Sequence, residues 1–178
     1  KIDNPIKLSA NESALGPSPK AIRAFENDKD NIFKYPESDS ELLREVLSEK
    51  FNIDPKRIIC GSGSDQIFDF TCHLFLKPGD EVIVTEFGFI MHRIYASLHN
   101  AKIVLAKEKN FTASVEEILK KVTNKTKIVF IANPNNPTGT YVSKSEMLNL
   151  RKKLRSDILL VVDDAYFEFL NSSDFTSG

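Results

Sequence analysis

KIVFIANPNNPTG, residues 127–139, gives the clearest indication of the fold class. It opens with an almost unbroken apolar run, residues 128–132, which is typical of a strand covered on both faces. The run stops at a turn with two prolines, which remove backbone donors and fix the direction of the chain. A second apolar run, residues 158–162, ends just as abruptly in Asp163. Two such strands indicate a sheet that lies between two layers of helices.

Apolar runs alternate with helical patterns along most of the chain. Strands are predicted at residues 57–60, 81–85, 102–106, 127–132 and 158–163. The segments between them carry apolar residues at helical spacing, which predicts helices at residues 64–76, 90–98, 115–122 and 143–154. This alternation predicts an α/β domain with a mainly parallel sheet flanked by helices and connected by right-handed crossovers.

The first third of the chain does not show this alternation of strand and helix patterns. Residues 1–16 read as an extended arm that is punctuated by proline and glycine. Ser18 and then Ser40 are predicted to cap the first two helices. We therefore divide the chain into an arm with its first helix, residues 1–38, and a larger part, residues 39–178.

Composition narrows the possible classes of function. The net charge of −1 and the 28% content of charged residues do not indicate a basic surface that binds nucleic acid. No apolar run approaches the roughly 20 residues of a membrane span. The two cysteines, Cys60 and Cys72, have neither metal-ligand spacing nor a disulfide pattern. We expect a cytoplasmic protein that binds no metal, membrane or nucleic acid.

The segment GSGSDQ, residues 61–66, follows a predicted strand and opens a predicted helix. Its glycines allow a tight backbone curve, and free N–H groups at a helix start can hold a phosphate. Ser64 can add a hydroxyl donor. An ordinary tight turn with a serine or aspartate cap explains the segment about as well.

Two further segments follow the strands at residues 127–132 and 158–163. The rigid turn at residues 133–139 aims the Asn136 amide, which can donate to a ligand oxygen. Asp163 directly after an apolar run suggests a partner for a ligand cation, although a helix cap at Asp164 is the simpler alternative. One strand–helix–strand passage separates Asn136 from Asp163, so both are expected at the same edge of the sheet.

Together these segments resemble the fold-type I enzymes that depend on pyridoxal 5'-phosphate (PLP), and most closely the histidinol-phosphate aminotransferase group. The matching motifs are residues 7–12, 15–19, 35–37, 61–66, 78–80, 133–139 and 161–166. Ser62, Gln66 and Asp164 depart from the residues usual in that group, which are Asn, Glu and Glu. The resemblance implies an incomplete large domain of a PLP-dependent transferase, together with part of the small domain in the N-terminal arm.

The resemblance also assigns roles in holding the cofactor. It implies that Asp163 pairs with the pyridine nitrogen and that Asn136 and Tyr166 hydrogen-bond the phenolic oxygen. Ser64 and Asp65, chiefly through backbone N–H groups, are implied to hold the phosphate.

Four other residues receive roles at the edges of the site. His92 matches a position that stacks on the cofactor ring, with Phe89 as the alternative. Tyr35 is implied to reach the cofactor phosphate of a neighbouring subunit, so a homodimer with shared active sites is expected. Asn11 is implied to help close the substrate site.

The implied activity is transamination between an amino donor and a keto acid, with histidinol phosphate and a glutamate/2-oxoglutarate-type partner favoured, in histidine biosynthesis. An aromatic amino-acid aminotransferase and a threonine-phosphate decarboxylase-like enzyme share the motifs and stay open. The family's Schiff-base lysine lies beyond the Asp-x-Ala-Tyr motif, and residues 156–178 contain no lysine. We therefore expect the chain to lack a catalytic residue and to be inactive alone, or to serve as a non-catalytic PLP-binding or dimerisation fragment.

Overall fold

A four-stranded parallel sheet organises residues Cys60–Gly178 in the computed structural model, which describes Ile6 and residues 9–178. Its spatial order is β2-β1-β5-β6, and every neighbouring pair runs parallel. A small antiparallel hairpin, β3 and β4, follows β2. The strands are β1 (Glu81–Thr85), β2 (Lys102–Ala106), β3 (Glu108–Lys109), β4 (Thr112–Ala113), β5 (Thr126–Ala132) and β6 (Leu159–Asp163). The predicted α/β architecture is confirmed.

Six α-helices are present among the described residues. They are α1 (Pro19–Asp28), α2 (Glu41–Phe51), α3 (Gly63–Phe75), α4 (Ile90–Leu98), α5 (Val115–Lys120) and α6 (Lys144–Lys153). The start of α6 is fixed by a capping box, in which Ser143 and Glu146 satisfy each other's backbone N–H groups.

Successive apolar side chains along each strand point to opposite faces of the sheet, and helices cover both faces. Ile83 and Val129 face one way and pack in a core that includes Ile118 of α5 and Leu150 of α6. The side chains of the opposite face join Phe68 and Cys72 of α3 and Ala96 of α4; from the strands they are Val82, Val84, Ile128 and Phe130. The sheet is therefore buried on both sides, as the continuous apolar runs predict.

The N-terminal unit, Lys1–Ile59, contains α1 and α2. Ser18 caps α1 as predicted, because its hydroxyl accepts the N–H of Ala21 at 3.2 Å. Ser40 precedes α2 in a left-handed conformation and makes no side-chain cap hydrogen bond, so the predicted cap is wrong. The arm predicted for residues 1–16 lies partly outside the described residues. The structure groups α2 with this unit, whereas the predicted boundary at residue 38 places α2 in the larger one.

The strand predicted at residues 57–60 is wrong. Arg57 ends a 3-10 turn, Pro55–Arg57, and the residues after it pair with none of the described strands. A strand requires a neighbouring ladder, and apolar content alone does not provide one. The β3–β4 hairpin was not predicted. Its turn residues Asn110 and Phe111 both have positive φ, which is unusual for a phenylalanine.

The register brings the ends of β5 and β6 side by side. Ala132 pairs with Asp163, and the Asn133 N–H donates to the Asp163 carbonyl at 2.9 Å. The prediction that the Asn-Pro segment and Asp163 share one edge of the sheet is confirmed. Within the described ranges, no helix has the length and apolar character that crossing a bilayer requires. Those same ranges hold no group of three or more histidine, cysteine or acidic side chains arranged to hold a metal ion.

Candidate active site

A pocket of about 100 Å³ lies at the carboxyl ends of β5 and β6. Its lining comes from four separate segments of the chain: Ser64, Phe89, Ala132, Pro134, Asn136, Asp163, Ala165 and Tyr166. Four of the residues predicted from the sequence are thereby brought together, namely Ser64, Asn136, Asp163 and Tyr166. In parallel α/β sheets this edge is where ligands bind.

The start of α3 contributes Ser64. Gly63 immediately before it has φ +76°, a left-handed conformation that glycine adopts without strain. A Cβ at Gly61 would lie 2.9 Å from the Gln66 amide oxygen, which accepts the Ser62 N–H, so a larger residue there would displace the Gln66 side chain. Ser62 makes no side-chain cap hydrogen bond. The positive end of a 13-residue helix is therefore presented at the pocket.

The Asn-Pro-Asn-Asn-Pro-Thr-Gly loop is held by two of its asparagines. Asn133 donates to the Val142 carbonyl and accepts the Val142 N–H, at 3.2 and 2.7 Å. Asn135 donates to the Phe87 carbonyl and to the Thr138 hydroxyl. Both are buried. These bonds fix the loop, as the sequence analysis expected of a functional turn.

Asn136 behaves differently from the other two asparagines of the loop. Its side chain lines the pocket and makes no hydrogen bond to another residue in the described part of the chain. Both peptide bonds into the loop's prolines, Asn133-Pro134 and Asn136-Pro137, are cis. A primary amide held on a fixed backbone and facing a pocket is available to a ligand oxygen.

Asp163 is the acidic group of the pocket and is only 8% exposed. One carboxylate oxygen accepts the Ala165 N–H at 3.2 Å, and the other lies 3.1 Å from His92 Nε2. These contacts offset the cost of burying a charge at the end of an apolar strand. The neighbouring Asp164 has its pKa raised, first by burial and then by the charge of Asp163.

His92 lies behind Asp163 and not at the wall of the pocket. Its ring is 1% exposed and stacks on Phe130, with centroids 4.9 Å apart and an interplanar angle of 13°. Phe68 and Phe89 meet the same ring edge-on. Because the His92 side chain is almost completely buried, the predicted stacking of His92 on a ligand ring does not fit this geometry.

Phe89, the alternative to His92, lines the pocket. The two residues are three positions apart, so they lie on the same side of the first turn of α4. Packing against Phe130 directs His92 inward and leaves Phe89 at the pocket. Ala132, Pro134 and Ala165 complete the apolar wall and were not singled out from the sequence. Small or cyclic residues directly after strands are the signal that could have indicated them.

The remaining predicted residues have other positions. Asp65 is in the first turn of α3 but does not line the pocket. Tyr35 and Asn11 belong to the N-terminal unit, where Tyr35 is fully exposed. The roles predicted for these three residues stay predictions. No lysine lines the pocket among the residues that the structure describes.

This constellation at the edge of a parallel α/β sheet defines a class of protein. The family model for aminotransferase class I and II matches residues 3–178. The chain therefore belongs to the aminotransferase class I and II family.

Particular members of the family are similar to this chain. Histidinol-phosphate aminotransferase from Pelagibacter ubique is 58% identical over 178 residues, and the corresponding Rhodopseudomonas palustris protein is 47% identical over 173. The crystal structure of histidinol-phosphate aminotransferase from Sinorhizobium meliloti in complex with pyridoxal-5'-phosphate has a TM-score of 0.86 and 26% identity. The match covers 89% of this chain and 44% of that structure.

The chain spans about half the length of the relatives that it matches. The alignments cover 100% and 97% of this chain, but 49% of the Pelagibacter ubique protein and 47% of the Rhodopseudomonas palustris protein.

Proposed function

We propose that this chain forms the PLP-binding part of an aminotransferase that acts on histidinol phosphate. The observation that carries the proposal is the convergence of Ser64, Asn136, Asp163 and Tyr166 on one pocket. Support for the substrate comes from the names of the relatives at 58% and 47% identity.

The donor set of the pocket fits the chemistry of PLP. The cofactor has a basic ring nitrogen, a phenolic oxygen and a phosphate, which need an acid, neutral donors and an anion site respectively. Asp163 supplies a buried carboxylate, Asn136 an amide without a hydrogen-bond partner within the described chain, and α3 a helix start. The wall formed by Phe89 and Ala165 offers an apolar surface for a flat ring.

PLP, when bound, supplies a carbonyl carbon for amine exchange and a ring that accepts electrons from the substrate's α-carbon. Asp163 would hold a proton on the ring nitrogen, because a nearby carboxylate favours the charged form of its partner. His92 orients that carboxylate through its Nε2 contact. Asn136 and Tyr166 would hold the phenolic oxygen, and Ser64 with the N–H groups near Asp65 would hold the phosphate.

The keto partner that we propose is 2-oxoglutarate, which would leave as glutamate. The Schiff-base lysine is proposed to be absent from this chain, since none follows Lys153. We also propose that the protein is a cytoplasmic homodimer, in which Tyr35 reaches the cofactor phosphate of the other subunit and Asn11 helps to close the substrate site. Tyr35 is fully exposed, and Cys60 and Cys72 are free thiols, which is compatible with these proposals.

The test uses the full-length protein that carries this chain. PLP binding and glutamate formation from histidinol phosphate and 2-oxoglutarate are measured for wild type and Asp163→Asn. We expect wild type to turn over and the variant to lose at least about 100-fold in kcat/KM, because the ring nitrogen loses its anionic partner. Asp157→Asn, at an exposed residue paired with Arg155, is the matched control.

Two results would refute the proposal. Near-normal turnover in the Asp163→Asn variant would show that Asp163 is not the required partner of the ring nitrogen. Wild-type protein that binds PLP and transfers amino groups from aromatic amino acids, but not from histidinol phosphate, would remove the substrate assignment.

A further inference from the structure

A groove of about 400 Å³ adjoins the pocket on the side of α4. Phe89 and Asn136 line both the pocket and the groove, so the two spaces share a wall. The other lining residues come from the segment between β1 and α4, from the first two turns of α4 and from the proline loop: Glu86, Phe87, Gly88, Ile90, Arg93 and Pro137. A molecule seated in the pocket could therefore extend into the groove.

Arg93 is the cationic residue of this groove. Its guanidinium donates one hydrogen bond, to the Glu86 carbonyl at 3.2 Å, and its Nε is buried without a partner in the described chain. It takes part in no ion pair within that part of the chain. By contrast, Arg44 is paired with Asp39 and Arg155 with Asp157.

The surroundings of Arg93 favour an anion. The helix α4 begins at this groove, and its first turn has neither an acidic residue nor a side-chain cap. The positive end of the helix thus adds to the charge of Arg93. Glu86 is the one opposing charge in the lining, and it is exposed. A planar guanidinium with unused donors suits a phosphate group, which it can bind through two parallel hydrogen bonds.

We propose that Arg93 binds the phosphate ester of the amino substrate and thereby determines specificity. The inference rests on the proposed function, because the pocket must hold PLP for the substrate to reach the groove. In this role Arg93 contacts the end of the substrate that does not react, so its main contribution is to substrate binding.

The test compares two amines that differ only in the phosphate, histidinol phosphate and histidinol. Half-saturation concentrations and rates of the amine half-reaction are measured with the full-length, PLP-loaded protein. We expect Arg93→Gln to raise the half-saturation concentration for histidinol phosphate about 10- to 100-fold, the range for a lost hydrogen bond to a charged group. The value for histidinol should change less than about twofold, and Arg93→Lys should recover part of the loss.

Lys152→Gln, at an exposed position on α6 that lines neither space, is the matched control and should behave as wild type. Thermal melting checks that each variant is folded, and Arg93→Lys gives the answer if Arg93→Gln is not. Equal effects on both amines, or none on either, would overturn the role of Arg93. Wild-type protein without preference for the phosphorylated amine would instead overturn the proposed function, and that result is independent of the Arg93 variants.

Discussion

Asp163 and His92 form a buried pair in which the histidine has a supporting role. The ring of His92 is packed by Phe130 and Phe68, and its only described polar contact through Nε2 is the Asp163 carboxylate. The imidazole therefore fixes the direction of the carboxylate that faces the pocket. A residue that hydrogen-bonds a ligand-binding side chain from behind usually strengthens ligand binding, because it restricts the rotamers of that side chain.

Replacing His92 by Phe should keep the packing of the ring and remove its contact with the Asp163 carboxylate. The ring volume is retained, so we expect the protein to fold, while PLP binding weakens by about 10-fold because Asp163 loses its partner. The measurement is a PLP titration followed by absorbance. Tyr95→Phe is the control, since that ring contacts the same Phe68 without reaching Asp163. Unchanged PLP affinity in the His92→Phe variant would show that Asp163 is held by other means.

The polar residues of the site are easier to predict from the sequence than the residues against which a ligand ring would pack. Asp163 is the last residue of β6 and Asn136 follows β5, and the register of a parallel sheet alone brings strand ends together. The sequence does not determine whether Phe89 or His92 reaches the pocket. Both lie on one side of α4, and only the packing of that helix against Phe130 decides which side chain reaches the pocket.

At the scale of elements, the start of α6 is fixed by a reciprocal pair of hydrogen bonds. Ser143 accepts the N–H of Glu146, and Glu146 accepts the N–H of Ser143. We expect Ser143→Ala to lower the free energy of unfolding by about 1 kcal/mol, the usual cost of a lost cap. Urea denaturation measures the difference, with Ser97→Ala at an exposed position of α4 as the control. Equal stability of the two variants would contradict the capping role.

The helix α3 carries a titratable group in the core. Burial, followed by the charge of Asp69, raises the pKa of the Cys72 thiol from 9.0 to about 11. The unfolded thiol ionises above about pH 9, while the folded thiol stays protonated, so this contribution to stability is present below pH 9 and is lost as the pH rises towards 11.

We therefore expect Cys72→Ala to flatten the fall in unfolding free energy between pH 9 and 11. Denaturant melts at several pH values measure the slope, and Cys60→Ala at a half-buried position is the matched variant. If Cys72→Ala leaves the pH dependence of the unfolding free energy unchanged, the buried Cys72 thiol is not its source.

Elements predicted from periodicity were confirmed where the sheet supplied partners for them. The strands at residues 81–85 and 102–106 are present with those bounds because each pairs along its full length. The segment at residues 57–60 has similar apolar content but no ladder, and sequence alone does not reveal pairing. The β3–β4 hairpin is too short for a periodic signal, and Phe111 at positive φ is not a usual turn residue.

At the scale of the whole molecule, the proposed dimer predicts complementation between two damaged subunits. Tyr35→Phe and Asp163→Asn are each expected to reduce turnover, the first by about 10-fold through one lost hydrogen bond to a charged group. If Tyr35 acts on the other subunit's cofactor, a hybrid dimer regains one intact site. Coexpression with two different purification tags, followed by steady-state kinetics, measures this.

The expected result is a hybrid with about half of the wild-type turnover per dimer, since one of its two sites is intact. A hybrid no more active than the better single variant would place Tyr35 and Asp163 in the same subunit's site, or in no common site.

The pocket at the ends of β5 and β6 is proposed to hold PLP by the contacts assigned above. The decisive measurement is a crystal structure of the full-length protein with PLP. We predict the ring nitrogen at hydrogen-bond distance from Asp163, the ring face against Phe89, and His92 still buried behind the carboxylate. A ring nitrogen directed at another residue, or a ring stacked on His92, would contradict the account.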